Sequence, residues 1–366
     1  MNIVYISMLS GKKSAGLSYS IPAQVKSQEK FDNVFWYNIN NIPKNQLING
    51  ENCNNKGDFP ALKIGQLPSP FNKPDLVIFE GVYIFDYINI SKECKRRGIP
   101  YIVIPRSSLT KNAQKKKVLK KIIGNTFFFK SFINGAIAIQ YLTSKEYEDS
   151  GDKWNNRHLI IPNGVEPKVE TKQYNGNQEI RGTFIGRADS YQKGIDLLLD
   201  ACVLVKEDLK KKNCKIDIFA PTSSEDKDDI QAMIINRGLS DFIIKHDGVY
   251  GTEKEKALLN SDFFILTSRF EGHPMGLIEA LSYGVPCIVT EGTNMAYEIK
   301  TYEAGWAVET TVDGIVKAFK NLFSEKKELM RKGQNAVELS KLYSWEKIAE
   351  VSHMEYRKLI ESGVSK

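Results

Sequence analysis

Cysteine and histidine are scarce in this sequence of 366 residues, and they lack the spacing of a metal site. The five cysteines are scattered, odd in number and never arranged as CxxC, and the four histidines show no ligand spacing. This pattern excludes a disulfide framework and favours a reducing, cytosolic compartment. We therefore predict no bound metal.

Long apolar runs are also missing. None reaches the roughly 18 residues that a membrane-spanning helix needs, so no transmembrane segment is expected. In MNIVYISMLSGKK, residues 1–13, the charge follows the apolar stretch, which reverses the order found in a secretory leader. We expect a buried first strand there instead.

Acidic residues are rare in one region. Residues 91–130 carry twelve Lys and Arg against Glu93 alone, a local charge of +11 (12 − 1), whereas the whole chain carries +7. The basic and aromatic mixture in KNAQKKKVLKKIIGNTFFFKSF predicts contact with an anionic membrane surface or an anionic acceptor. The alternative is a solvated helix face whose apolar side lies in the core. No nucleic-acid-binding motif accompanies the charge, so nucleic acid is not an expected partner.

The apolar content of 42% is ample for two cores, and the chain length suggests two domains. Nearly continuous apolar runs alternate with helical stretches, which predicts two doubly wound α/β domains whose parallel sheets are covered on both faces. The predicted strands are 2–7, 33–39, 75–81, 101–105, 135–142 and 158–164 in the first series, and 182–186, 215–221, 241–250, 262–268, 286–292 and 305–309 in the second.

The segments between and after these series set the domain boundaries. The polar stretch EPKVETKQYNGNQE (166–179) has no periodicity and is predicted to be a linker, and 41–72, rich in Asn, Pro and Gly, is predicted to be an irregular loop. The tail YSWEKIAEVSHMEYRKLIE has helical spacing after Ser344 as N-cap. The predicted domains are 1–165 and 166–342, followed by a helix in 343–366 that packs back on the first domain.

The most informative stretch is RFEGHPMGLIEALSYGVP, residues 269–286, which follows a predicted strand. Ligands of open parallel sheets bind outside the carboxyl ends of the strands. Pro274 suits the first position of a helix and Gly284 its C-terminal cap, so the helix is predicted at about 274–283.

Two carboxylates surround the start of this helix. Glu271 lies in the loop before it, and Glu279 lies on its second turn. The backbone amides of Met275 and Gly276 stand at the positive end of the helix, which suits an anion such as phosphate. Glu279 could accept hydrogen bonds from vicinal hydroxyls, such as those of a ribose.

A second anion feature lies in TFIGRADSYQKGIDLLLDA. Gly186 lets the chain turn sharply where the strand ends. Arg187 and Lys193 then place two cations beside the start of a helix. A diphosphate needs such compensation, above all when it departs with extra negative charge.

These residues resemble the signature of the retaining glycosyltransferases of family four, which have the GT-B fold. The resemblance rests on Arg187, Lys193 and the E-x7-E pattern of Glu271 and Glu279, within TSRFEGHPMGLIEALSYGVPCIVT. It covers nearly the whole chain and is more specific in the second domain. Supporting stretches are IIPNGVE, similar to the family's PNGVD, YSWEKIAE, similar to its FSWERIA, AGLSYSIPAQVKS, which resembles its glycine loop, and RRGIPYIVIPRSSL, which resembles a segment ending in PRGML.

The resemblance implies a role for each matching residue. Arg187 and Lys193 hold and stabilise the departing diphosphate, and Glu271 contacts the donor sugar near the reacting carbon. Glu279 binds the ribose hydroxyls. The implied donor-binding set is Gly186, Gly272, His273, Pro274, Met275, Gly276, Leu277 and Glu279, and the implied acceptor or cleft set is Gly11, Gly16, Glu80, Arg106 and Asn163.

The chain departs from the family pattern at three positions. His273 and Pro274 stand where much of the family has Phe-Gly, and Pro274 has no amide to donate. His273 either points at the donor sugar or packs against the loop. Glu80 stands where many relatives have a histidine, so it either accepts a hydrogen bond from a substrate hydroxyl or marks an altered activity. Arg106 matches the family's arginine and either reaches an acceptor phosphate or forms an interdomain salt bridge.

The implied function is transfer of a sugar from a nucleotide diphosphate sugar, expected to be a UDP-sugar, to a hydroxyl of a glycan or lipid-linked acceptor. Retention, independence of metal and the absence of any resident cofactor belong to this expectation. So do a role in capsule or lipopolysaccharide synthesis and a place at the inner face of the plasma membrane. The alternatives are a nucleotide-sugar-binding GT-B protein with impaired catalysis, and a dehydrogenase, which is disfavoured because Gly11 and Gly16 are too far apart for GxGxxG.

Overall fold

The structure is a computed structural model that describes residues 1–11, 16–43, 46–47, 50–115, 117–151, 153–174, 179–221 and 229–364, with the backbone alone at 363–364. Parts of several predicted segments lie outside the described residues. These are Ala15 of the glycine loop, 44–45 and 48–49 of the irregular loop, Lys116 of the basic region, 175–178 of the linker and 365–366 of the terminal segment.

The chain forms two compact units. Unit 1 comprises Met1–Gly164 and Trp345–Lys366, and unit 2 comprises Val165–Ser344. Each unit has its own parallel sheet, as continuous apolar strands predict. All twelve predicted strands are present, which confirms an α/β chain with two doubly wound sheets.

Unit 1 contains a sheet of seven strands in the order β3-β2-β1-β4-β5-β6-β7. The strands are β1 (Asn2–Ser7), β2 (Asn33–Asn38), β3 (Cys53–Asn55), β4 (Leu76–Glu80), β5 (Tyr101–Ile104), β6 (Ala138–Tyr141) and β7 (His158–Ile160). The helices are α1 (Leu17–Gln28), α2 (Phe85–Arg96), α3 (Lys111–Lys115), α4 (Val118–Gly124), α5 (Lys130–Asn134), α6 (Ser144–Ser150) and α16 (Trp345–Val364), with a π-helical turn at Asn125–Phe129 and a 3-10 turn at Ile64–Gln66.

Unit 2 contains a sheet of six strands in the order β10-β9-β8-β11-β12-β13. The strands are β8 (Ile180–Ile185), β9 (Cys214–Phe219), β10 (Ile243–His246), β11 (Phe263–Leu266), β12 (Cys287–Thr290) and β13 (Gly305–Val308). The helices are α7 (Ser190–Lys193), α8 (Ile195–Leu204), α9 (Lys206–Lys211), α10 (Ile230–Asn236), α11 (Gly251–Leu259), α12 (Met275–Ser282), α13 (Ala296–Thr301), α14 (Val312–Ser324) and α15 (Leu329–Lys341), with 3-10 turns at Glu291–Thr293 and Lys326–Glu328.

The terminal helix α16 belongs to unit 1 and packs on α1. Its Tyr356 hydroxyl donates to Gln140 at 2.5 Å, and His353 Nδ1 lies 3.0 Å from both carboxylate oxygens of Asp32. These contacts fix the helix against residues that lie more than 200 positions earlier in the chain.

The expectation of an irregular loop at 41–72 needs correction. The segment 41–72 is not wholly irregular, because it contains β3, whose sequence CNN has no apolar pattern to reveal a strand. The five cysteines are all buried, and none of them forms a disulfide bond. In the described part of the chain, no helix combines the length and apolar composition that crossing a bilayer requires.

Candidate active site

The unit 2 sheet changes the direction of its strand order between β8 and β11, which are neighbours although β9 and β10 intervene in sequence. The crevice outside the carboxyl ends of two such strands is the usual ligand site of an open α/β sheet. Gly186 and Arg187 follow β8 directly, and Glu271 follows β11 by five residues. The strand order therefore places Arg187 and Glu271 at the same edge of the sheet.

Lys193 and Glu271 form an ion pair at this edge. Lys193 Nζ lies 2.6 Å from Glu271 Oε1, and the Ser268 hydroxyl donates to the same oxygen at 2.7 Å. The Lys193 and Glu271 side chains are only 14% and 10% exposed, so the pair is partly shielded from water. We call these three residues the Lys193 cluster.

Gly194 brings the two loops of the Lys193 cluster together. Its φ is +64°, and a Cβ there would lie 1.9 Å from the backbone oxygen of Thr267. No other residue fits, because the left-handed conformation and the close approach both exclude a side chain. The Thr267 hydroxyl adds a bond to Gly194 O at 2.8 Å. Lys193 is the last residue of α7 and directly precedes Gly194, the N-cap residue of α8, so the lysine lies beside the start of the longer helix.

Arg269 holds the same loops from the other side. Its guanidinium makes two bonds of 2.7 Å to the Asp196 carboxylate and one of 2.7 Å to Tyr191 O. Its backbone amide donates to Gln192 O at 2.9 Å. A bidentate arginine–carboxylate pair is strongly directional, so it fixes the position of α7 relative to the Glu271 loop.

Arg187 extends toward solvent beside this cluster. The side chain is exposed, and Nη2 donates to Gln192 Oε1 at 3.0 Å. Asp189 caps α7 by accepting from the amide of Gln192 at 2.8 Å. The loop 186–192 is therefore ordered by its own hydrogen bonds while the guanidinium stays accessible.

Helix α12 begins at Met275, with Pro274 in the N-cap position and an extended ψ of 112°. The sequence analysis predicted Pro274 as the first residue of the helix, whereas in the structure it is the N-cap residue just before the helix. The amides of Met275 and Gly276 are in the first turn, where a helix has no internal acceptors for them. Gly276 lies close to the sheet, since a Cβ there would be 3.4 Å from Ile185 O.

Glu279 and His273 have partners of their own in unit 2. The Glu279 carboxylate forms an ion pair with Lys254 of α11. His273 is 5% exposed and its ring centroid lies 4.9 Å from that of Tyr343, so the imidazole is packed inside the loop. Asn294 Nδ2 donates to Glu271 O at 2.5 Å and to Gly272 O at 3.4 Å, which fixes the backbone before α12. The Leu277 side chain is buried in the core.

The predicted residues of unit 1 include a second, separate cluster. Arg106 donates through Nε to Glu80 Oε2 at 2.9 Å, through Nη1 to Asn163 Oδ1 at 2.5 Å and through Nη2 to Gln24 Oε1 at 2.6 Å. We call these four residues the Arg106 cluster. The salt bridge of Arg106 therefore lies within unit 1, and the predicted alternative of an interdomain salt bridge is wrong.

Backbone geometry and a buried acid hold the Arg106 cluster in place. Arg106 and Ser107 have φ values of +51° and +66°, which side chains rarely adopt. The Glu146 carboxylate accepts from the amides of Ser107 at 2.5 Å and Leu142 at 2.7 Å. Burial raises the pKa of Glu146 to about 7.

Gly11 and Gly16 lie at either side of residues 12–15, which are outside the described part of the chain. Gly11 has a φ of +70°, which suits glycine. Gly16 is the N-cap of α1, and a Cβ there would meet no atom within 4 Å. Across the described ranges, no three His, Cys, Asp or Glu side chains come together as a metal-ligand group.

Several residues around the two clusters escaped prediction from sequence. They are Gln24, Glu146, Asp196, Lys254, Ser268, Arg269 and Asn294. Most act on partners more than 20 positions away, so no local spacing marks them. Ser268 is the exception, since it stands three residues before Glu271 in the motif.

Comparison with known proteins agrees with this architecture. Residues 170–339 match the family model for glycosyl transferases group 1. An uncharacterized glycosyltransferase of Methanocaldococcus jannaschii is 24% identical over 326 residues, which are 87% of this chain and 84% of that protein.

Solved structures share the fold over the full chain. The Anabaena protein HepE in complex with UDP and glucose has a TM-score of 0.74 at 13% identity, covering 98% of this chain and 100% of that one. The lipopolysaccharide outer core galactosyltransferase WaaB in its apo form has a TM-score of 0.70 at 17% identity, covering 99% and 100%. Residues 170–339 therefore match the family model for group 1 glycosyl transferases, and the chain as a whole has the GT-B fold.

Proposed function

We propose that the protein transfers a sugar from a nucleotide diphosphate sugar to a hydroxyl of a glycan or lipid-linked acceptor, with retention at the anomeric carbon. The observation that carries the proposal is the Lys193 cluster at the β8–β11 switch point, with Arg187 exposed beside it and the first turn of α12 close by. A UDP-sugar is the proposed donor, in line with the UDP bound to HepE.

The charges of unit 2 suit a departing diphosphate. In the proposed reaction the bond between the anomeric carbon and the phosphate oxygen breaks, and the diphosphate leaves with an additional negative charge. Arg187, Lys193 and the amides of Met275 and Gly276 stabilise that charge, since preorganised donors need no reorientation during the reaction. Two cations and a helix end could fill this role, and so the proposal includes independence of a metal.

Glu271 orients the donor sugar in this proposal. Among the described residues, the bonds from Lys193 and Ser268 both end on Oε1, which leaves Oε2 to accept from a sugar hydroxyl. A carboxylate held by an ammonium group is a weak nucleophile. We therefore assign the acceptor's proton to the departing phosphate oxygen, on the same face of the sugar, while the acceptor oxygen bonds to the anomeric carbon.

Glu279 and Arg106 receive secondary roles. Glu279 accepts from the ribose hydroxyls and exchanges its bond to Lys254 for them. The Arg106 cluster shapes the acceptor side of unit 1 together with Gly11 and Gly16. The proposed acceptor is a lipid-linked glycan of capsule or lipopolysaccharide synthesis at the inner face of the plasma membrane, because one structural neighbour is a lipopolysaccharide galactosyltransferase and residues 91–130 are strongly basic.

A thermal-shift screen of nucleotide sugars tests the donor without knowledge of the acceptor. We expect UDP and one UDP-sugar to raise the melting temperature, because a ligand that binds only the folded state stabilises it. Incubation of that radiolabelled sugar with lipid-linked and soluble glycan acceptors should then yield a product with the donor's anomeric configuration, read by NMR. A product of inverted configuration, or turnover that is lost with chelator and restored by Mg²⁺, would contradict the mechanism.

A binding protein without turnover is the second candidate, favoured by Glu80. The Glu80 side chain is fully buried and bonded to Arg106 where many relatives have a histidine. Donor binding without transfer to any acceptor would support this candidate. Replacement by histidine, Glu80→His, should raise turnover if the glutamate is the cause of the impairment.

A further inference from the structure

One stretch of unit 1 exposes an unusual number of large apolar side chains. Twenty-one such side chains are exposed in the described residues, and six of them fall within the eleven residues 118–128. Leu119 and Phe127 are the most exposed of the six, at 77% and 70%. The six are Val118, Leu119, Ile122, Ile123, Phe127 and Phe128, and Phe85 joins them at 5.7 Å between ring centroids from Phe128. We call these seven side chains the apolar face.

The spacing of the apolar face is helical. Leu119, Ile122, Ile123 and Phe127 stand at i, i+3, i+4 and i+8, which places them along one side of a helix. In a globular protein such a side normally faces the core. Here other residues of the segment reach the core, namely Gly124, Phe129, Phe132 and Ile133. The apolar face is therefore a second apolar side, turned outward.

The charge around the apolar face has one sign. Between Glu93 and Glu146 the sequence has twelve Lys and Arg and no Asp or Glu. The exposed lysines in the described part of residues 111–130 are Lys111, Lys115, Lys117, Lys120 and Lys130. An apolar stripe bordered by lysines is the arrangement that helices lying in a membrane interface use.

A cavity of about 460 Å³ adjoins the apolar face. Its lining includes Val118 and Ile122 of the face together with four lysines, Lys115, Lys121, Lys130 and Lys153. Cationic side chains beside apolar ones match a lipid, whose anionic headgroup continues into acyl chains.

We propose that the apolar face docks on an anionic lipid bilayer, with its apolar side chains in the headgroup–acyl boundary and the surrounding lysines on the lipid phosphates. The inference deepens the proposed function and rests on it for the lipid-linked acceptor. A second copy of the chain fits poorly, because a symmetric contact would bring the same lysines together. Aliphatic side chains such as Leu119 and Ile122 also give nucleic acid no surface for base stacking.

Sedimentation of the full chain with vesicles tests the docking. We expect binding to phosphatidylcholine vesicles that contain phosphatidylglycerol, release in high salt, and little binding to pure phosphatidylcholine. Lys117→Gln/Lys120→Gln should lower the partition coefficient about 25-fold, at about fivefold for each charge removed. Ile122→Ser/Phe127→Ser should lower it by roughly tenfold or more, because two large apolar side chains no longer insert.

Matched variants on unit 2 control for general effects of charge and hydrophobicity. Lys210→Gln/Lys211→Gln and Leu204→Ser/Ile235→Ser alter exposed positions of the same kinds and should bind vesicles like the unchanged protein. All variants change exposed side chains, so their thermal unfolding should match. Equal loss of binding in the control and the test variants would overturn the proposal.

A fluorescent label reports insertion directly. Since all five native cysteines are buried, Phe127→Cys offers one exposed thiol for a nitrobenzoxadiazole label. We expect a blue shift and a rise in emission with anionic vesicles, and neither for the same label at Leu204→Cys, a residue 64% exposed in unit 2.

Three further results would overturn the docking proposal. They are binding that ignores the phosphatidylglycerol, a label at position 127 that stays polar on bound vesicles, and a concentration-dependent dimer that Ile122→Ser/Phe127→Ser abolishes without any vesicle binding. Vesicle binding needs no turnover, so its failure would leave the proposed transfer reaction intact. An absence of transfer would likewise leave the docking intact.

Discussion

The two units each hold an ion pair near the carboxyl edge of a parallel sheet, and the two pairs differ in burial and in the number of side chains that bond to the cation. Arg106 and Glu80 are 5% and 0% exposed, and the arginine also bonds to Asn163 and Gln24. Lys193 and Glu271 are 14% and 10% exposed, and the lysine's hydrogen bond is to Glu271. A buried charge with three side-chain acceptors is committed to the fold, whereas a lysine at a partly open edge can exchange partners.

Removal of the buried arginine gives the largest expected effect. Arg106→Ala should lower the free energy of unfolding of unit 1 by about 3–5 kcal/mol, because it leaves the Glu80 carboxylate buried without its partner. Urea unfolding followed by tryptophan fluorescence measures it well, since three of the four tryptophans, Trp36, Trp154 and Trp345, belong to unit 1.

A double replacement shows whether the loss comes from the orphaned charge. Arg106→Met/Glu80→Leu should recover part of the stability, since apolar residues of similar size often replace a buried pair at little cost. If Arg106→Ala instead unfolds like the unchanged protein but loses turnover, Arg106 is a ligand-binding residue and the contrast between the two pairs fails.

Removal of a cation from unit 2 should act on catalysis and spare the fold. Lys193→Ala and Arg187→Ala should each lower turnover on the order of 10²-fold, about 2.7 kcal/mol, as loss of one preorganised charge-stabilising donor does. A transfer assay with the identified donor measures this. Lys320→Ala, at an exposed position of α14, is the matched control. Unchanged turnover in both test variants would remove the basis for the diphosphate site.

Glu146, whose carboxylate accepts from the Ser107 amide, should make the stability of unit 1 depend on pH. Burial raises the pKa of Glu146 to about 7 in the folded state, whereas the pKa of an ordinary glutamate, 4.5, applies to the unfolded state. Between these two pH values the folded protein binds a proton that the unfolded protein lacks. The free energy of unfolding should therefore rise as pH falls from 8 to 5, by about 2 kcal/mol from this group.

Glu146→Gln isolates that contribution, because glutamine does not titrate. The stability of the unchanged protein relative to Glu146→Gln should rise by about 2 kcal/mol as pH falls from 8 to 5, as read by urea unfolding at each pH. Parallel pH profiles of the two proteins would show that Glu146 keeps one protonation state throughout.

The smallest expected effect concerns the donor ribose. Glu279→Ala should weaken binding of UDP about tenfold, as loss of hydrogen bonds to a charged group does, measured by titration calorimetry. Glu253→Ala on α11, which is exposed, is the control. Retained affinity in Glu279→Ala would indicate that the Glu279–Lys254 pair has a structural role only.

The sequence predicted the sheets well and the side-chain partners poorly. Continuous apolar runs are local signals, so twelve of the thirteen strands in the described residues could be located, whereas β3 with its sequence CNN could not. Motif residues such as Lys193 and Glu271 could be named, but their contact became apparent only with the strand order of the structure. That Gln24 completes the Arg106 cluster and that Lys254 pairs with Glu279 follows only from the three-dimensional packing, because neither residue is marked by a pattern of its own.

The path of the chain between the units has a consequence for dissection. Unit 2 begins at Val165 and ends at Ser344, and these residues form a β-bridge, with Val165 N bonded to Tyr343 O at 2.7 Å. On the unit 1 side, Gly164 lies so near Trp345 that a Cβ would be 2.4 Å from its ring. Unit 2 is thus inserted into the chain of unit 1, and a gene that joins residue 164 to residue 345 through a short linker should yield unit 1 alone.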